Sequence, residues 1–295
     1  MKNYVLTCSS TVDLSNEFLK DLNINYIKFN YQINDDIYKD DMGLTISSKE
    51  FYDLMRNGAS TKTSQINANE YIEFFKPFLE NNQDVLHVEL SSGLSGSFNS
   101  AMLAKGILEE EYPNNKVVII DSLAASAGYG LLMTYAANLR DKGYSIDQLS
   151  NWINENKLNL HHWFYSTDLS YYVKGGRITQ TAGFVGSLLN LCPLLNVSNE
   201  GKLIPRHKVV GKKRVMRRIV NKMQEFASDK KDYSGKCFIS HADILDDARE
   251  VAKRVEDEFP NLDGNVEIFN IGTTIGSHTG PGTLALFFMG DERID

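Results

Sequence analysis

Residues 85–120 constrain the fold more than any other part of the chain. Val85-Leu86-His87-Val88-Glu89-Leu90 is a short apolar-rich run of strand type, and Ser91-Ser92-Gly93-Leu94-Ser95-Gly96 follows as a turn. Residues 97–110 then carry Phe98, Ala101, Met102, Leu103 and Ile107 on a helical segment, before a second apolar run, Val117-Val118-Ile119-Ile120. Strand, turn, helix and strand in this order make a crossover unit, and strands joined that way lie in a parallel sheet covered on both faces. The rest of the first half follows suit. A strand at 4–7 leads to a helix starting near Asp13 or Ser15, then a strand over 24–31. A helix over 49–56 is capped by Ser47 or Ser48, with Glu50 in its first turn. A polar loop at 60–67, a helix at 68–80, a small-residue turn at 122–130 and a helix at 131–141 complete this half.

The second half changes character. Strands are expected at 163–167, 237–241, 266–271 and 283–289, helices at 214–228 and 245–259, and a hairpin over 194–209 turning at Ser198-Asn199-Glu200-Gly201. A chain of 295 residues fits two domains at roughly 150 residues each. The expected architecture is an α/β fold of two domains: a parallel-sheet α/β domain over 1–155 and a mixed α+β domain over 156–295, the boundary falling between Asp141 and His161.

Composition excludes several classes. At 42% hydrophobic and 23% charged the chain is not disordered. A net charge of −7 disfavours general nucleic-acid binding, which needs an excess of cations. Cys8, Cys192 and Cys237 are odd in number and widely spaced, which suits free thiols in a reducing cytoplasm. Lys2 precedes only Tyr4-Val5-Leu6, too short for a secretory leader. The longest apolar run, 183–197, is broken by Ser187, Asn190 and Asn196 and is too short and polar to span a bilayer. A cytoplasmic protein without stable membrane insertion is expected.

Five segments can carry chemistry. Ser91 to Gly96 sits where a strand gives way to a helix; unpaired N–H groups and the helix dipole there favour an anion, and Ser92, Ser95 and Ser97 add hydroxyls. Thr61-Lys62-Thr63-Ser64-Gln65 is a second hydroxyl cluster, which alone reads best as a turn or cap. Asp121-Ser122 and Ser126-Ala127-Gly128 close another strand, and strand ends of an open parallel sheet converge on one crevice. Ile271 to Gly282 is the densest Gly and Thr stretch; it reads as a glycine-rich loop and contains His278. Tyr171-Tyr172-Val173-Lys174-Gly175-Gly176-Arg177 adds an arginine able to pair with an acidic ligand. From Lys202 to Arg218 there are eight cations and no carboxylate; with them set aside the remaining chain carries −15, an asymmetry that suits an electrostatic docking face. A phosphate-binding GxxxxGK[ST] loop, a full GxGxxG and an HExxH pair are missing, and Gly93-Leu94-Ser95-Gly96-Ser97 fails the GxSxG elbow at its last position.

In order and spacing these residues resemble the DegV family. The likeness runs through Ser10-Thr11-Val12-Asp13-Leu14, Thr63-Ser64-Gln65, Ser91-Ser92-Gly93-Leu94-Ser95-Gly96, Asp121-Ser122, Lys174-Gly175-Gly176-Arg177-Ile178, Pro193-Leu194-Leu195 and Ile275 to Gly282. It departs at Ser9, Ile66, Cys192 and Val210, where the family usually has Asp, Pro, Lys and Arg. The resemblance implies a two-domain protein that buries one long-chain fatty acid between its domains, needs no other cofactor, and works with a separate fatty acid kinase that phosphorylates the carboxylate. Thr63 and Ser95 would then hold the carboxylate with His278 close by, on a ligand loop supported by Ser64, Ser92, Gly93 and Gly96. Arg177, Lys212, Lys213 and Arg217 would face the partner. The main rival reading is a serine hydrolase with Ser95 as nucleophile and His278 as base.

Overall fold

The computed structural model describes residues 3–179 and 190–293. In chain order its strands are β1 (Tyr4–Ser9), β2 (Asn25–Ile27), β3 (Asn30–Ile33), β4 (Asp36–Lys39), β5 (Thr61–Ser64), β6 (Asp84–Glu89), β7 (Val117–Asp121), β8 (Leu160–Tyr165), β9 (Leu191–Val197), β10 (Leu203–Val210), β11 (Cys237–His241), β12 (Glu267–Asn270) and β13 (Leu284–Met289). Its α-helices are α1 (Asn16–Asp21), α2 (Ser48–Arg56), α3 (Ala68–Glu80), α4 (Ser97–Glu111), α5 (Ser126–Asp141), α6 (Ile146–Asn156), α7 (Ser170–Lys174), α8 (Lys212–Phe226), α9 (Leu245–Glu258) and α10 (Thr273–Thr279).

Two main sheets form, as expected of an α/β fold with a parallel and a mixed half. The first is wholly parallel, in the order β2-β1-β6-β7. Every residue of β6 is buried, as for a strand with helices on both faces. The second has six strands in the order β10-β9-β8-β13-β11-β12, antiparallel except for the β11–β12 pair. The hairpin β9–β10 turns through Ser198 and Gly201, as the sequence indicates.

Period-two alternation sorts the second sheet's residues. Trp163, Tyr165, Leu284, Leu286 and Phe288 pack with α8 and α9, whereas Phe164, Leu195, Ala285 and Phe287 join the core that contains α5. Helix α5 therefore lies between the two sheets. Its Tyr129 hydroxyl accepts the Ser9 N–H and donates to the Val88 carbonyl on the parallel side. Its Gly128 abuts Phe287 and His162 on the mixed side.

Local signals explain much of this. Ser47 caps α2 by accepting the Glu50 N–H at 3.2 Å, and Asn67 and Glu70 close a reciprocal capping box on α3. Four expectations change. Residues 60–67 are not all loop: β5 pairs with β3, and with β4 they form a third, antiparallel sheet. The strand expected over 24–31 is split into β2 and the start of β3, which belong to different sheets. The turn expected over 122–130 is helical from Ser126. The glycine-rich loop is helix α10 over most of its length, because its first turn is capped from elsewhere: Asp40 accepts both the Thr274 N–H and hydroxyl. Of the apolar run 183–197, residues 183–189 lie outside the described residues. Among the described residues no helix is long and apolar enough to cross a membrane.

Candidate functional site

The carboxyl ends of the parallel strands open onto a cavity of about 490 Å³, a volume ordinary for a small-ligand site. Strand order reverses between β1 and β6, and a crevice at such a switch point is where open α/β sheets bind ligands. Phe29, Leu90, Phe164, Val197, Ile271 and Phe287 give it apolar walls from both sheets. Thr63, Ser95, Arg177 and His278 also line it, and all four are half-buried, whereas Phe164 and Phe287 are buried. Arg177, His278, Thr63 and Ser95 thus gather at the more accessible side, while the depth sets the buried polar groups of Ser126, His162, Ser240 and Thr283 among the aromatic walls.

Each polar group arrives on a different element. Thr63 is on β5, whose Thr61 and Thr63 turn inward while Lys62 and Ser64 turn out. Ser95 belongs to the turn before α4, and its Oγ accepts the Ser97 N–H at 3.2 Å. His278 sits in the last turn of α10. Arg177 follows α7 through the Gly175-Gly176 turn. A side chain at Gly175 would collide with the His278 ring, its Cβ falling 2.4 Å from Nδ1.

A chain of hydrogen bonds fixes the protons. Arg177 carries only donors, so its Nη1 donates to His278 Nδ1 at 3.1 Å. The imidazole is therefore protonated at Nε2, which donates to Thr63 Oγ1 at 2.6 Å. Thr63 accepts there and keeps its own hydroxyl proton for another acceptor. Burial, aided by the Arg177 charge, pulls His278 down from its ordinary value to about 4, so the ring is neutral near pH 7. Arg177 also donates to the Leu94 carbonyl from Nε at 3.3 Å and Nη2 at 3.1 Å, tying itself to the serine turn. Burial lowers Arg177 from its usual value, which leaves a guanidinium charged at neutral pH. A cation, two hydroxyls and the N-terminus of the 15-residue helix α4 converge on this side of the cavity, an arrangement suited to an anion with an apolar tail.

The serine turn is clamped from the mixed sheet. Ser91 Oγ donates to the Gly201 carbonyl at 2.9 Å, and a Cβ on Gly93 would stand 2.6 Å from the Glu200 carbonyl oxygen. Beneath it, the fully buried Glu89 accepts from Ser9 Oγ at 2.9 Å, Tyr71 OH at 2.6 Å and the Leu90 N–H at 2.9 Å, with His87 Nε2 at 2.8 Å. Burying a carboxylate demands such a set of partners, and here they fix the end of β6.

Thr63, Ser95, Gly96 and His278 line the same cavity. Ser64 and Ser92 are exposed and do not line the cavity; the Ser92 N–H instead meets Asp121 Oδ1 at 3.1 Å. Gly93 serves the hairpin contact rather than a ligand. Arg177, expected to face a partner, is turned into the site. Lys212, Lys213 and Arg217 are on α8, which packs against the opposite face of the mixed sheet, and Lys212 pairs with Asp247 at 2.5 Å. They do not converge with Arg177. The Ser–His pairing of the hydrolase reading is not assembled: both nitrogens of His278 are engaged by Thr63 and Arg177, and Ser95 Oγ lies 3.0 Å from Ser97 Oγ. The sequence reading missed the aromatic walls Phe164 and Phe287. Their signal was the alternation along β8 and β13, which assigns one face of each strand to a second apolar space. Among the described residues no group of three or more His, Cys, Asp or Glu is placed to hold a metal ion.

Comparison with known proteins places the chain among relatives of matching length. The family described as "Uncharacterised protein, DegV family" matches residues 5–291. A DegV domain-containing protein of Clostridium perfringens is 36% identical over 293 residues, covering 99% of each chain. A solved structure described as fatty acid binding of a DegV family protein from Thermus thermophilus is 25% identical, with a TM-score of 0.86 over 98% of this chain and 100% of that one. The Fatty Acid Kinase B3 protein of Streptococcus pneumoniae, solved loaded with linoleic acid, is 21% identical with a TM-score of 0.84, over 98% of this chain and 100% of that one; at that identity the likeness is one of fold.

Proposed function

The chain belongs to the DegV family, and from that premise we propose that it binds one long-chain fatty acid, tail inward, in the cavity between its two sheets. The observation that carries this reading is the free hydroxyl proton of Thr63, left over by the Arg177–His278–Thr63 chain at the accessible side of a mainly apolar space. Thr63 and Ser95 donate to the carboxylate, Arg177 supplies the compensating charge, and His278 holds Thr63 in orientation. Each buried methylene adds about 0.8 kcal/mol, so a long acyl chain supplies the affinity and the donors supply the orientation. The fatty acid binding of the Thermus thermophilus protein, at 25% identity over the same length, supports this reading.

The finer part of the proposal is that the bound carboxylate is presented to a separate fatty acid kinase for conversion to an acyl phosphate. The half-buried setting of Thr63, Ser95 and Arg177 leaves an oxygen of the head group within reach from outside. The partner would approach on that side, not over α8. The fatty acid is the only bound group the reading requires.

Denaturing mass spectrometry of extracts from the purified protein tests the proposal. One equivalent of a fatty acid is expected, or stoichiometric uptake of an added one by the delipidated protein. Failure to take up any fatty acid would overturn it. A fluorophosphonate that labels Ser95 stoichiometrically, with ester hydrolysis lost in Ser95→Ala, would favour the hydrolase instead.

A further inference from the structure

Helix α4 is apolar on both faces. Ala101, Ala104 and Leu108 turn inward and are fully buried, as a helix covering a sheet requires. The outer face should be polar. It carries Met102, Leu103 and Ile107, exposed by 41%, 67% and 50%. A contiguous apolar stripe in that position marks a contact surface. Within it lies Gly106, where an added Cβ would meet nothing within 4 Å. A mid-helix glycine weakens a helix relative to alanine, and no neighbour among the described residues uses the space it leaves. Asn99 and Glu110 end the stripe. Both are exposed, and neither side chain has a hydrogen bond or ion pair among the described residues.

These positions are symmetric about a point between Ala104 and Lys105. Two antiparallel copies of α4 crossing there set Leu103 over Gly106, Met102 beside Ile107, and Asn99 beside Glu110, each pairing occurring twice. We propose that α4 is a homodimer surface, pairing with α4 of a second copy about a two-fold axis. A closed two-fold interface requires a patch that is its own complement, and this stripe is one in shape as well as polarity: the most exposed side chain, Leu103, faces the gap at the glycine. At each end the Asn99 amide donates to the Glu110 carboxylate. At 1.5 Å per residue the two Ser95 positions fall about 28 Å apart along the paired helices, so both cavities stay open. One helix face buries less than the roughly 1,200–2,000 Å² of standard stable interfaces, so the dimer is weak and concentration-dependent.

Sedimentation velocity over the micromolar to hundred-micromolar range tests this. The wild type should pass from monomer to dimer. Gly106→Leu, which fills the gap, should weaken association on the order of tenfold or more. Asn99→Lys, which sets a cation against Glu110, should strengthen it. Thermal melts and far-UV spectra check that both variants fold. The register has its own readout. A mixture of Met102→Cys and Ile107→Cys proteins should cross-link with a short bis-maleimide where neither alone does so efficiently, since the native cysteines are buried. A wild type that stays monomeric throughout, a dimer indifferent to Gly106→Leu, or one weakened by Asn99→Lys would overturn the proposal.

Discussion

Asp40 accepts the Thr274 hydroxyl at 2.6 Å and the Thr274 N–H at 3.3 Å, so a carboxylate just past β4 caps the helix that presents His278. The residue is buried, and burial raises its pKa despite the donors around it. Asp40→Asn keeps an acceptor and removes the buried charge; it should be tolerated. Asp40→Ala leaves the donors unpaired and should cost about 1–3 kcal/mol. Thermal denaturation of the two variants side by side checks the ranking; an alanine variant as stable as the asparagine one would remove the cap from the account.

His278 gives the fold a sign-definite pH response. Its folded value, about 4, lies below the ordinary 6.5, because of burial and then Arg177. The unfolded chain therefore binds the proton more readily, and the contribution of this group is complete above about pH 6.5 and lost as pH falls toward 4. Asp13 and Asp40 are shifted upward by burial and act in the opposite direction, so the difference between wild type and His278→Gln isolates the histidine. Urea titrations from pH 7.5 to 4.5 should show that difference changing by about 2–3 kcal/mol.

Thr63→Val removes the donated proton at nearly constant shape. It should weaken fatty-acid binding by about 1–3 kcal/mol, while Thr63→Ser retains most of the affinity. Titration calorimetry with one fatty acid and all three proteins decides this; equal affinities would place the carboxylate elsewhere.

Ala285 on β13 lies opposite Phe164 and lines the cavity. Ala285→Phe should shorten the space available to a tail. If about four methylenes lose their place, the longest chains lose roughly 3 kcal/mol while short ones bind as before. Competition between chain lengths measures the cut-off, and a uniform loss across lengths would count against a tail lying along β13.

Gly93→Ala should destabilise the protein by about 1–3 kcal/mol, because the new methyl meets backbone, the Glu200 carbonyl, which cannot rotate away. A melt shows it; an unchanged midpoint would mean that the hairpin is not held against the serine turn in solution.

Much of this was legible in the residues. The unit from β6 to β7 and the cap at Ser47 announce themselves through apolar runs and a side-chain oxygen at fixed spacing; the capping box of Asn67 and Glu70 carries the same signal for α3 but passed unread. Capping also signals α6, through Ser145 and Gln148, with Ile146, Leu149 and Ile153 as its buried stripe, though this helix passed unread. Two elements of the site were hidden for physical reasons. Strand β5, Thr-Lys-Thr-Ser, has no apolar alternation and exists because β3 offers it an edge. Helix α10 is poor in helix formers and rests on a cap more than 200 residues away in sequence. His278 was legible as a candidate and lines the cavity, but its tautomer depends on Arg177, a neighbour that only the folded chain supplies. The basic run shows a related limit: sequence gives its charge but not that it divides between the edge strand β10 and helix α8, away from Arg177.

The position of α5 between the sheets has a consequence for engineering by recombination. Tyr129 is fitted to the parallel sheet and Gly128 to Phe287 and His162 of the mixed one. A chimera that exchanges halves with a relative at the loop after Asp141 would leave α5 complementary to one sheet and foreign to the other. Such hybrids should be recovered only when β8, β11 and β13 come from the same parent as α5, making that helix, rather than the linker, the unit of inheritance.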